Sequence, residues 1–160
     1  MPEAVAERTK MPKVLLVDDC QSWRIVVGNV FLKRFDLLLA DDGENALKHL
    51  EDKEVSVIVS DIEMPKMDGV QMTSTAMLNF GVLGVGRKRW KTGQMPPVII
   101  VTGLDLHDDR VLFVSEMPYI AAIMQKPVDI YRLVQAVDCA TKRDMVGARR
   151  LSDLPLGAVG

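Results

Sequence analysis

Apolar residues gather in five short runs along the chain: Val14 to Val17, Leu37 to Ala40, Val55 to Val59, Val98 to Val101 and Ile120 to Met124. Each run has the length of a strand. Most are apolar at consecutive rather than alternate positions, which predicts strands buried on both faces of a parallel sheet rather than strands with one wet face. Between the runs the period lengthens. Trp23, Val26, Val27, Val30 and Phe31 fall at i, i+3, i+4, i+7 and i+8, one stripe of an amphipathic helix. Ile130, Leu133, Val134 and Val137 repeat that spacing, with Asp129 placed as an N-cap. Shorter helical patterns cover Glu44 to Leu50, Val70 to Leu78 and Asp108 to Val114. Strand and helix thus alternate five times, which predicts an α/β fold: a doubly wound five-stranded parallel sheet with helices on both faces.

Two segments break the pattern. Asn79 to Pro97 carries four glycines, two prolines and a basic cluster (Arg87, Lys88, Arg89, Lys91) around Trp90, the signature of a long connection. A solvated loop is the simpler reading, although cations beside an aromatic also suit an acidic partner or nucleic acid. From Arg143 onward no helical period is sustained. The expected organisation is an N-terminal extension over 1–12, one domain over 13–142 with an enlarged 79–97 connection, and a tail over 143–160.

Composition narrows the classes. A chain of 160 residues holds about one domain. Twenty basic against twenty-two acidic residues give a formal charge of -2, without the basic footprint of a nucleic-acid binder. The longest apolar run, Tyr119 to Met124, is far short of the ~20 residues of a membrane span, and Met1 to Lys10 lacks the apolar core of a secretory signal. Cys20 and Cys139 have no metal-ligand spacing and cannot build a disulfide framework. A cytoplasmic location with reduced thiols is the expectation.

Ligands gather at the carboxyl ends of the strands in open parallel sheets, so the residue that ends each run matters most. The first run ends in Asp18 and Asp19, the third is followed closely by Asp61, the fourth by Thr102, and the fifth by Lys126 and Pro127. Three carboxylates at one edge repel one another unless a cation is present, and an all-oxygen site suits Mg²⁺. With a lysine alongside, one carboxylate can attack a phosphoryl group whose oxygens the positive charges neutralise.

These residues resemble a known family. Val14-Leu-Leu-Val-Asp-Asp19, Asp61-Ile-Glu-Met-Pro-Lys-Met-Asp-Gly69, Val98-Ile-Ile-Val-Thr102 and Lys126-Pro127 are similar to the receiver domain of bacterial two-component response regulators, over Lys13 to about Lys142. The resemblance implies a flavodoxin-like (βα)5 fold and a phosphorylation-dependent signalling switch without turnover of a free substrate. Asp61 would accept the phosphoryl group from a sensor histidine kinase or histidine phosphotransfer protein. Asp19 and Asp61 would bind Mg²⁺ directly, Asp18 mainly through water, and Glu63 through its main-chain carbonyl. Lys126 would pair with the phosphoryl group, and Thr102 would bring its hydroxyl to it after transfer. The Lys126-Pro127 bond would be cis. A downstream protein target is implied but not identified, and a homodimer stays open.

Taken singly, each residue has a plainer reading. Asp18-Asp19 alone fits a turn or cap, as Asp41-Asp42-Gly43 does; Thr102 alone fits a strand-end hydroxyl, and Lys126 alone a solvated charge. Gly69 is expected to supply backbone freedom, Met64 and Met67 packing, Cys20 a buried inert thiol, and His49 and His107 surface positions. The family's usual aromatic residue three positions before the lysine is Ile123 here, and Gly103 replaces a common alanine. The Glu63 side chain lies where it could reach the metal or an attacking water. Two rivals are a receiver-fold binding module that works without phosphorylation, and a phosphohydrolase of the haloacid-dehalogenase type, which wants an aspartate where Glu63 stands.

Overall fold

A computed structural model of the protein describes residues 10–51, 54–80 and 95–142. Each apolar run becomes a strand and each amphipathic stretch a helix. The order is β1 (Lys13–Val17), α1 (Gln21–Phe31), β2 (Asp36–Ala40), α2 (Gly43–His49), β3 (Val55–Ser60), α3 (Gly69–Phe80), β4 (Val98–Thr102), α4 (Asp109–Ser115), β5 (Ile120–Gln125) and α5 (Ile130–Lys142). All strand pairs are parallel, and the sheet order β2-β1-β3-β4-β5 places the point where the order of strand addition switches sides between β1 and β3, beside the central strand. That is the doubly wound arrangement the alternation predicts.

The consecutive apolar residues divide between two cores because successive side chains in a strand point to opposite faces. Leu15, Val17, Ile58 and Ile100 pack on one face with Ala46 of α2, Met72 and Ala76 of α3, and Val111 and Val114 of α4. Val14, Leu16, Val57, Val59, Ile99 and Val101 pack on the other with Val27 and Phe31 of α1 and Leu133, Val134 and Val137 of α5. Each fully buried aliphatic side chain contributes roughly 1.5–3 kcal/mol relative to exposure. A Phe31–Phe35 edge-to-face pair, centroids 5.4 Å apart, closes the second core beyond the end of α1.

Two details differ from the sequence reading. Val26, placed on the buried stripe of α1, is exposed together with Ile25. Three adjacent apolar residues, Ile25 to Val27, leave the stripe's angle undetermined, and only Val27 turns inward. At the other site of difference, Asn79 and Phe80 belong to α3, and Phe80 is buried, so the 79–97 connection starts inside a helix. Most of that connection, like the 143–160 tail and most of the 1–12 extension, lies outside the described residues. Among the described residues no helix is long and apolar enough to cross a membrane.

Candidate functional site

The parallel ladders continue one residue past the strands, and this fixes the site. Asp18 N–H donates to the Ala40 carbonyl at 3.1 Å, Asp61 N–H to the Val17 carbonyl at 3.0 Å, and Lys126 N–H to the Thr102 carbonyl at 2.8 Å. Three site residues are thus held by main-chain bonds to a neighbouring strand end, on the rigid part of the fold. Their side chains meet. Lys126 Nζ donates to Asp18 Oδ2 at 2.7 Å and to Asp61 Oδ2 at 3.1 Å, bridging two carboxylates that are nearly or wholly buried. The Lys126–Pro127 peptide bond is cis, as expected.

The remaining carboxylate oxygens are held by backbone. Asp18 Oδ1 accepts Cys20 N–H at 2.8 Å, and Asp61 Oδ1 accepts Ile62 N–H at 2.6 Å. Arg24 donates from its guanidinium to the Asp18 carbonyl oxygen. Burial pushes the Asp61 carboxyl above its ordinary range, opposed by the hydrogen bond and charge of Lys126 and reinforced by the negative charge of Asp18. For Lys126, burial acts to lower the ammonium's pKa, but its bonds to Asp18 and Asp61 outweigh it and the net shift is upward. The lysine therefore stays charged throughout the neutral range.

One oxygen from each of Asp18, Asp19 and Asp61 lies within 4.8 Å of the others. Three carboxylates against one ammonium leave an excess of negative charge, and hard oxygen donors at this spacing fit a small divalent cation such as Mg²⁺. The donor set suits the metal the sequence suggests. The Glu63 side chain does not join it: it is exposed and pairs with Arg110 of α4, with 3.4 Å between Glu63 Oε1 and Arg110 Nη1. Thr102 stands at the same edge, fully buried, but its hydroxyl accepts Leu104 N–H at 3.2 Å and is turned into its own loop.

The loop after Asp61 is strapped to its surroundings. Gly69 N–H donates to the Ile62 carbonyl at 2.8 Å, and a Cβ on Gly69 would lie 2.0 Å from the Asp61 carbonyl oxygen. Gly69 thus supplies room for the Asp61 main chain rather than the unusual backbone angle expected of it, since its φ is not in the left-handed region. Lys66 is, at φ 64°. Gly43 N–H donates to the Met67 carbonyl at 3.0 Å, and Asp42 caps α2 by accepting Asn45 N–H at 2.8 Å while Lys66 Nζ lies 3.5 Å from its carboxylate. Asp42 is therefore the helix cap read from sequence, and Asp68, which accepts Gln71 N–H at 2.8 Å, caps α3. Met64 and Met67 pack against the first core as expected.

Cys20 corrects the expectation of a buried thiol: it is exposed, because the chain leaves the sheet there to begin α1. His107 is exposed and His49 half-buried. Ile123 packs against the first core. Sequence reasoning treated Trp23 only as core. It is half-buried in the second core, and its ring also faces Lys126, with Nζ 4.8 Å from the ring centroid. An aromatic in the first turn of the helix after Asp18-Asp19 is the available signal, but its orientation is not.

Fold and site together define a doubly wound α/β domain with a lysine-bridged acidic pocket at the carboxyl edge of its central strands. The family model described as the response regulator receiver domain matches residues 14–138, and the chain belongs to that family. Phosphorylation-dependent switching is the family's general function, its members are phosphorylated by histidine kinases, and its acidic residues bind Mg²⁺. The alkaline phosphatase synthesis transcriptional regulatory protein PhoP of Bacillus subtilis is 31% identical over 101 residues, 62% of this chain and 37% of that protein. The CAI-1 autoinducer sensor kinase/phosphatase CqsS of Vibrio cholerae is 34% identical over 62 residues, 38% of this chain and 9% of that protein. The chain thus spans well under half the length of these curated relatives. Among solved structures, the receiver domain of Francisella response regulator 1452 superposes with a TM-score of 0.66 at 26% identity, covering 82% of this chain and 98% of that one. The chemotaxis response regulator CheY4 of Vibrio cholerae gives a TM-score of 0.64 at 21% identity, covering 82% and 99%, and supports the fold alone.

Proposed function

We propose that this chain is a signalling switch of a two-component system that accepts a phosphoryl group on Asp61 from a histidine kinase or phosphotransfer protein. The observation that carries the reading is the Lys126 ammonium bridging Asp18 and Asp61 at the edge of the sheet. An Asp61 carboxylate oxygen attacks the phosphorus of a phosphohistidine. The O–P bond forms, the P–N bond breaks, and the electron pair returns to the imidazole nitrogen, which takes up a proton. Lys126 neutralises charge on the phosphoryl oxygens, and the Thr102 hydroxyl leaves Leu104 to donate to one of them. Asp18, Asp19, Asp61 and the Glu63 main-chain carbonyl would hold Mg²⁺, which when bound supplies further positive charge to the transferring group. Attack of water on the acyl phosphate resets the switch.

Phosphorylation shifts the population of two conformations rather than creating a new fold. A downstream protein target reads the surface of α4, β5 and α5, where Leu112, Phe113 and Tyr131 are exposed. The switch works in the cytoplasm, where its kinase's phosphodonor domain and ATP are found. Incubation with a small acyl phosphate and Mg²⁺, followed by intact-mass measurement, tests the reading: one phosphoryl group adds to the wild type and none to Asp61→Asn. Ile123, in place of the family's usual aromatic residue, favours the second reading, a phosphorylation-independent binding module. An unmodified wild type that still binds partners would select it.

A further inference from the structure

We infer that Trp23 is a positioning residue for Lys126: its indole face forms the third wall of the ammonium's seat and holds it between Asp18 and Asp61. A lysine ammonium has three N–H donors and ends a flexible four-carbon stem. Two directions are taken by Asp18 Oδ2 at 2.7 Å and Asp61 Oδ2 at 3.1 Å, and the Trp23 ring lies beside the same nitrogen, 4.8 Å from its centroid. That separation is within cation–π range. The Lys126 side chain keeps 23% of its exposure, so the two carboxylates and the ring do not fully enclose it.

The ring is itself fixed. Trp23 packs against the second core, and the first turn of α1 is tied to the pocket on both sides of it. Cys20 N–H donates to Asp18 Oδ1, Arg24 N–H donates to the Cys20 carbonyl at 3.0 Å, and the Arg24 guanidinium donates to the Asp18 carbonyl. The same turn that anchors Asp18 therefore places the indole. A phosphoryl group arriving at Asp61 finds the ammonium already aimed, and orientation in advance is what raises the rate of transfer.

This inference rests on the proposed phosphorylation of Asp61, so its test has an arm that does not. Trp23→Phe keeps an aromatic face and Trp23→Met keeps apolar bulk without one; circular dichroism melting checks that both fold. In the first arm, NMR follows the protons at the end of the Lys126 side chain, which the indole ring current shifts upfield in the wild type and which move downfield in Trp23→Met. In the second arm, phosphorylation by an acyl phosphate with Mg²⁺ is followed over donor concentration. Trp23→Met lowers the maximal rate about threefold to tenfold with the half-saturating concentration little changed, while Trp23→Phe stays within about twofold of wild type. Lys126 resonances unmoved by Trp23→Met overturn the inference, as does a Met variant as fast as the Phe variant. A wild type that takes up no phosphoryl group overturns the functional reading instead, and the NMR arm still decides the role of Trp23.

Discussion

Replacing Gly69 by alanine puts a methyl group against the main chain of Asp61, the proposed phosphoacceptor. The added Cβ would lie 2.0 Å from the Asp61 carbonyl oxygen and 3.0 Å from both the Asp61 carbonyl carbon and the Ile62 Cα. These are backbone atoms at the end of a central strand, so no side-chain rotation relieves the contact. Opening the oxygen contact to 3.0 Å moves either the first turn of α3 or the Asp61–Ile62 segment by about 1 Å. The Gly69-to-Ile62 main-chain bond at 2.8 Å and the Ser60 Oγ bond to the Asp61 carbonyl at 2.8 Å both lie across that movement. Overpacking costs roughly 1–3 kcal/mol and a weakened hydrogen bond about 1 kcal/mol, so the expected loss is about 2–4 kcal/mol. For a domain of this size that lowers Tm by about 10 °C. Urea unfolding and calorimetry measure it, with Gly103→Ala as the control. A Cβ at Gly103 meets nothing within 4 Å, and that variant stays within about 0.5 kcal/mol of wild type. A Gly69→Ala protein as stable as Gly103→Ala would refute the steric reasoning.

Other expectations follow from the pocket's electrostatics and from the helix cap. Because burial raises the Asp61 pKa in the folded state, the native protein binds more protons than the unfolded chain between the two values, so this carboxyl's contribution to stability falls as pH rises through that window. Asp61→Asn should therefore gain Tm over wild type at neutral pH and lose that advantage on acidification; an advantage that grows toward acid would contradict the sign. The raised Lys126 pKa contributes stability that persists below its ordinary value of 10.5 and fades only in more alkaline solution. Saturating Mg²⁺ should stabilise the wild type by about 2.7 kcal/mol at a hundredfold excess over Kd. The gain, read by thermal shift, should fall sharply in Asp18→Asn and Asp19→Asn, and an equal gain in all three proteins would place the metal elsewhere. Asp42→Ala removes the α2 cap and the partner of Lys66, at a cost of about 1–2 kcal/mol in denaturant unfolding.

The sheet is legible because burial on both faces writes itself as consecutive apolar residues: Val98 to Val101 predicts a strand, and β4 ends one residue later at Thr102. The site was legible because parallel strands deliver their next residues to one edge, so Asp18, Asp61 and Lys126 could be grouped from position alone. Orientation was not. Ile25, Val26 and Val27 could each have faced the core, and the close approach of α1 to the sheet selected Val27. The Glu63 carboxylate stands in the sequence where it could reach the metal or an attacking water, yet a cation on α4, Arg110, pairs with it instead, a contact between residues far apart in the chain. Trp23 shows the same gap. Periodicity marks it as apolar and half-buried, while the ring's meeting with Lys126 depends on how α1 and β5 are placed across the sheet.

The central claim is that Asp61 itself carries the phosphoryl group, and the most direct measurement locates the bond. Wild-type protein treated with an acyl phosphate and Mg²⁺ is reduced with borohydride, which converts an aspartyl phosphate to homoserine, and its peptides are sequenced by mass spectrometry. Homoserine at position 61, absent when Mg²⁺ is chelated, is the predicted result; reduction product at another aspartate, or at none, would contradict it.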